Sequence, residues 1–146
     1  MKKVIFGILL CIFLQNGMAF ANSNWITLSD KMYLDTNSIR KEGNFGSKYS
    51  FWWKSLNDNT EVFKLGEKAF PNRKIWYVLI QGIIDCENFL SANKSFYTYD
   101  TNNNIINMIT LQNYEIEWRS IPPDSFYDFV YQNICTTDYV KYHNDR

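Results

Sequence analysis

The chain has 146 residues, with 15 basic and 15 acidic side chains, one histidine and 18% aromatic residues. That length suits one ordinary domain, and the even charge balance excludes nucleic acid as a general partner. Three cysteines and a lone histidine near the end, His143, supply no ligand set at zinc-motif spacing.

The first 21 residues, MKKVIFGILLCIFLQNGMAFA, put two lysines ahead of the apolar stretch Val4 to Leu14. A polar break at Gln15 and Asn16 follows, then small residues at Ala19 and Ala21. This is the order of a secretory signal peptide, with cleavage expected after Ala21. The apolar stretch of 11 residues is too short for a spanning helix, which needs about 20. Cys11 lies inside that stretch behind Leu10, where a lipidation signal needs a small residue, so it is expected to leave with the signal. The mature chain then runs from Asn22 to Arg146, 125 residues carrying 13 basic and 15 acidic side chains. The expected organisation is a signal peptide at 1–21, one domain at 22–138 and a C-terminal tail at 139–146.

An exported chain reaches an oxidising compartment, where its two remaining cysteines, Cys86 and Cys135, are expected to pair. A nucleophilic cysteine would need a histidine, and His143 sits in a terminal tail. Closing so long a loop stabilises a fold by roughly 4 kcal/mol in the chain-entropy view.

Short runs rich in aromatic and β-branched residues, separated by Asn, Asp, Gly and Ser clusters, predict an antiparallel sheet up to Trp118. The first two strands are expected at Trp25 to Leu28 and Met32 to Leu34, followed by a turn at Asp35 to Ile39 held by local Asp and Ser hydrogen bonds. KYSFWWK alternates, with Tyr49, Phe51 and Trp53 directed to the core and Trp52, Lys48 and Lys54 on the other face. The segment NDNTEVFKLGEKAFPNRK is then expected as a long charged loop. In KIWYVLIQGIID, Trp76, Val78, Ile80, Ile84 and Cys86 share the expected core face, and Gly82 marks a bulge or a close approach by another element. SFYTYDTNNNIINMITL predicts a hairpin turning at Asp100 to Asn104.

After Trp118 the period changes. Pro122 and Pro123 precede a helix start, with Asp124 or Ser125 as cap and Asp128 in the first turn. Phe126, Phe129, Val130 and Ile134 form one apolar stripe, and Cys135 is expected to close the helix. The predicted fold class is therefore α+β: a small sheet of about six antiparallel strands, with a C-terminal helix packed on it and disulfide-linked to it.

Few residues suggest chemistry. DTNNNIINMITL begins like a calcium loop, but Ile105 and Leu111 replace the required glycine and glutamate, so a hairpin turn is the better reading. Asp85 and Glu87 flank Cys86 on one strand face and read as solvated edge charges. Lys64, Lys68, Arg73 and Lys74 gather in the charged segment, either as an ordinary loop or as a contact for an acidic or glycan-decorated surface. Trp52 is either an exposed interface residue or buried beneath a second cover. No Ser-His, Cys-His, metal or phosphate-loop constellation can be assembled, so neither catalysis nor a cofactor is expected.

Taken in order, NWITLS, MYLDTNSI, the aromatic strand, IIDC, EWRSIPPDS and the late Ile-Cys pair resemble the bacterial surface-adhesin protein E family, from Trp25 to Cys135. The resemblance implies a secreted, envelope or surface protein of a Gram-negative bacterium that adheres to host matrix or plasma proteins. The adhesin that gives the family its name is a lipoprotein, and this chain departs from it at Cys11. The departure leaves open a soluble periplasmic accessory protein of an envelope complex. Open strand edges also lead us to expect a homodimer, formed edge to edge or through Trp52.

Overall fold

The computed structural model describes residues 24–43 and 46–144, with backbone alone for 137–144. The signal segment and the cleavage site at Ala21 lie outside the described residues, as does the side chain of His143. Six strands follow one another as an antiparallel meander: β1 Trp25–Ser29, β2 Met32–Lys41, β3 Lys48–Leu56, β4 Ile75–Asp85, β5 Leu90–Asp100 and β6 Ile105–Thr110. A two-residue strand, β7 Arg119–Ser120, pairs with the start of β5 beyond the reach of β6. Helix α1 spans Glu61–Ala69 and helix α2 spans Phe126–Asn144.

Alternation builds the core. Tyr49, Phe51 and Trp53 of β3 face α2 together with Leu34, Ile80 and Ile84, and Val130 and Ile134 close the layer from the helix. Phe51 and Val130 are fully buried. Phe126 and Tyr127 pack their rings against Phe51 at 6.3 and 6.1 Å between centroids. Cys86 and Cys135 are bonded, with Cα atoms 5.4 Å apart and 49 residues between them in sequence. The bond ties α2 to the end of β4.

Gly82 serves both expected purposes. The β4 to β5 register shifts between Gln81 and Gly82, and a Cβ at Gly82 would lie 2.6 Å from Phe51 Cζ and 3.2 Å from Tyr127 Oη. Only a residue without a side chain lets Phe51 and Tyr127 approach the strand this closely.

One device turns two successive hairpins. Asp85 ends β4 and accepts hydrogen bonds from the backbone N–H groups of Glu87 and Asn88 and from the Asn88 side chain. Asp100 ends β5 and accepts from the N–H groups of Asn102 and Asn104. Each carboxylate also meets a cation, Lys48 at 3.7 Å and Arg73 at 2.6 Å respectively. Asp85 is thus buried and organises its turn; it is not the solvated edge charge expected from sequence, although Glu87 is exposed. The oxygens of Asp100 are taken by turn amides and Arg73, the bonding of a hairpin turn and not of a calcium loop.

Four local expectations need correction. Asp35 to Ile39 is not a turn but an irregular stretch within β2, whose register shifts between Asp35 and Arg40. The anticipated local bonds are present there: Asp35 accepts from Asn37 N–H, and Ser38 Oγ donates to the Asp35 carbonyl while accepting from Trp52 N–H. The charged segment is not all loop, because α1 forms with Glu61 in its first turn and Lys68 in its last, matching the helix dipole. Phe63 of α1 is buried, and Gly66 lets Ile75 approach. Trp76 is 47% exposed instead of in the core, since a register irregularity between Ile75 and Tyr77 places it at the strand end. In α2, Phe129 is exposed and its place in the stripe is taken by Tyr127 and Tyr131; the helix also continues past Cys135 to Asn144. Ser125 is the cap, its Oγ accepting from Asp128 N–H at 3.1 Å, while Asp128 accepts from Asp124 N–H.

Candidate functional site

With α2 on one face, cross-strand register decides what the other face presents. The strands align Tyr33, Lys54, Leu79, Tyr97 and Met108 in one row and Trp25, Asp35, Trp52 and Gln81 in the next. One end of this face is closed: Ser50, Ile83 and Ala92 are buried there and Lys48 lies over the Trp118 ring at 5.1 Å. The opposite end is bounded by Tyr77, which stacks on Tyr99 at 4.5 Å and donates its hydroxyl to Asn103. Between them Trp25, Trp52, Lys54, Leu79 and Tyr97 are half-buried and Met108 is 61% exposed.

Lys54 lies at the centre of this patch. Its Nζ sits 4.5 Å from the Trp25 ring centroid and 4.8 Å from that of Tyr77. Two ring faces stabilise an ammonium by their quadrupoles, by about 0.5–2 kcal/mol each depending on desolvation, but neither supplies a strong hydrogen-bond acceptor. Burial pushes the Lys54 pKa below the usual lysine value. Among the described residues, its ammonium joins none of the ion pairs.

Trp52 lies in the same patch, half-buried and edge-on to Tyr97 with ring centroids 5.6 Å apart. The basic residues expected as one group are divided. Lys64 is exposed on α1 and pairs with Glu61 at 3.2 Å, Lys68 is exposed in the last turn of α1, and Lys74 is exposed just before β4. Arg73 is committed to Asp100. Lys54, Trp25 and Tyr77 were not singled out together from sequence. The alternation of KYSFWWK places Lys54 on the face opposite the core, but its ring partners come from β1 and β4, whose register a single sequence does not encode.

An open cleft of about 560 Å³ lies between β5, the β6 to β7 connection and the start of α2, lined in part by Asn93, Phe96, Glu115, Glu117, Arg119 and Tyr127. Its charged side chains and the Tyr127 hydroxyl are already engaged. Glu115 caps Gln112 N–H, Glu117 pairs with Arg119, and the Tyr127 hydroxyl donates to Asn93 Oδ1 and the Ala92 carbonyl. Burial pushes the Tyr127 hydroxyl pKa well above the phenol range. Among the described residues, no three His, Cys, Asp or Glu side chains gather to hold a metal, and no helix is long and apolar enough to cross a membrane.

A six-strand antiparallel meander with a C-terminal helix clamped to its central strand by a disulfide defines a small α+β domain whose free sheet face is aromatic. Solved structures share this fold. Crystal form II of Haemophilus influenzae protein E has a TM-score of 0.55 at 18% identity, over 77% of this chain and 87% of that one. A selenomethionine form of the same protein gives 0.54 at 18% identity, over 77% and 85%. Protein E from non-typeable Haemophilus influenzae gives 0.53 at 17% identity, over 77% and 75%. No curated protein sequence matches the chain. A model of the surface-adhesin protein E family matches residues 25–136, and the chain belongs to that family.

Proposed function

We propose that the mature chain is a non-catalytic binding protein of a Gram-negative envelope that adheres to host matrix or plasma proteins. The observation that carries this reading is the family match over residues 25–136. The half-buried aromatic face supports it, because Trp and Tyr are the side chains enriched at protein interfaces. Cleavage after Ala21 would release the chain into the periplasm, from which it reaches the surface. Contact uses the free sheet face around Trp52, the exposed basic residues Lys64, Lys68 and Lys74, and the sheet edges, with Arg73 held by Asp100 beside them. The outer edge of β6, with Ile105, Met108 and Ile109 exposed, is the natural seat of the edge-to-edge homodimer.

A second reading, a soluble periplasmic accessory protein, is favoured by the position of Cys11 behind Leu10, which lacks a lipidation pattern. Fractionation of the producing cells, with antibody labelling of intact cells, separates the two. Surface labelling together with saturable binding to immobilised matrix or plasma proteins supports adhesion. Protein confined to the periplasmic extract, with intact cells unlabelled, overturns it in favour of the accessory role. Light scattering over a concentration series reads the dimer, which a persistent monomer would exclude.

A further inference from the structure

Lys54 poses a physical question that the fold does not answer. A half-buried ammonium loses hydration, and proteins ordinarily offset that loss with a carboxylate. Among the described residues the compensation comes from the Trp25 and Tyr77 rings, which leave the three N–H donors without a strong acceptor. A methionine would fill the same space between the rings without any charge to desolvate. The charge is therefore dispensable for packing this face and useful to a ligand.

We propose that Lys54 is an anion hook at the centre of the free sheet face, taking a side-chain carboxylate from an extended acidic segment of a protein partner. Charge complementarity selects the anion. Leu79, Met108 and the Trp52–Tyr97 pair lie alongside to receive the apolar residues that flank it. The surroundings also select the source. A sulfated glycan is a dense array of anions and calls for several cations side by side, whereas Lys54 is the single cation in these two rows, with Tyr33 and Leu79 beside it and Asp35 in the adjacent row. A single carboxylate with apolar neighbours matches one ammonium in an aromatic frame. Covering the site by the partner would dry it and strengthen the pair.

This inference rests on the chain being a protein-binding domain but not on where the cell displays it, so the test uses the purified mature chain in solution. The probe is a nine-residue capped peptide of alternating valine and threonine with two glutamates, beside its glutamine counterpart, read by tryptophan fluorescence and calorimetry. The glutamate peptide should bind saturably and at least about tenfold more tightly than the glutamine peptide, the scale of one hydrogen-bonded charge pair. Lys54→Met should abolish that difference while keeping the melting temperature, and Lys54→Arg should retain it. Three results would overturn the proposal: no saturable binding of the glutamate peptide, equal binding of both peptides, or an unchanged preference in Lys54→Met. A heparin oligosaccharide that binds more tightly than the peptide in a Lys54-dependent manner would reassign the hook to a glycan. Self-association lost in Lys54→Met would reassign it to a second copy of the chain. Failure of the peptide test with intact cells still binding matrix proteins would remove the hook and leave adhesion standing.

Discussion

Gly82→Ala isolates the closest packing in the core. The new methyl would sit 2.6 Å from Phe51 Cζ and 2.7 Å from Phe51 Cε2, against an ordinary carbon contact of about 3.5 Å. The ring must retreat by nearly 1 Å on this arithmetic, yet Phe51 is fully buried with Phe126 and Tyr127 packed on it. Overpacking of this kind costs about 1–3 kcal/mol, and removing the glycine's extra unfolded-state freedom offsets about 0.5–1 kcal/mol. Taken at the middle of both ranges the net destabilisation is about 1.3 kcal/mol, a fall of roughly 4–6 °C in melting temperature for a domain of this size. Thermal unfolding of the oxidised protein by circular dichroism measures it. Phe51→Leu removes the ring atoms that the methyl would strike, so the double variant should lose less stability than the two single changes added together. An unchanged or raised melting temperature in Gly82→Ala, or strict additivity in the double variant, would refute the reasoning.

Replacing Cys86 or Cys135 by alanine should destabilise by about 4 kcal/mol, from a loop of 49 residues; urea midpoints with and without reductant test this, and equal midpoints would contradict it. The Asp85 and Asp100 carboxyls both titrate below the usual aspartate value. For Asp85, burial alone would raise the pKa, but hydrogen bonds from Asn88, the Lys48 charge and the Glu87 N–H outweigh it. For Asp100, the Asn104 N–H leads and Arg73 and Asn102 add to it against burial. Their stabilisation is complete above the unfolded aspartate pKa of about 3.9 and is lost as pH falls through the lower folded values. Urea midpoints measured from pH 5 down to pH 2 should therefore fall less steeply in Asp85→Asn and Asp100→Asn than in the parent, and parallel curves would exclude the linkage. Ser125→Ala should cost about 1 kcal/mol through loss of the Asp128 N–H bond at the start of α2; a loss below a few tenths in chemical denaturation would show that the cap is not used.

The sheet was legible because each strand alternates or ends in recognisable turn chemistry. All six strands of the meander, the C-terminal helix and the disulfide follow from aromatic and β-branched runs, two prolines and an even cysteine count. Helix α1 was not legible: it is only nine residues long, and Gly66 in its middle and the charges around it read as loop. Thr60 before Glu61 and Pro71 after Phe70 were the available signals. Trp76 was misplaced because the β4 to β5 register shift beside it is invisible in the sequence, and Phe129 for a different reason. Period alone assigns a side chain to a face but does not say how far the opposite layer extends. Lys54 had the right face and no visible role, since the rings beside it arrive from strands 29 and 23 residues away in sequence.

Every ladder of the meander joins strands that are neighbours in the chain, so β1 and β6 each hang from a single partner while β2 to β5 are secured on both sides. The covalent tie from β4 to α2 reinforces that middle alone. Opening should therefore proceed from the rims inward, with backbone amide exchange fastest in β1 and β6 and slowest in β3 to β5. Trp25 belongs to one rim and Met108 to the other. The two borders of the free sheet face are thus the segments that can rearrange at least cost, around a centre that cannot.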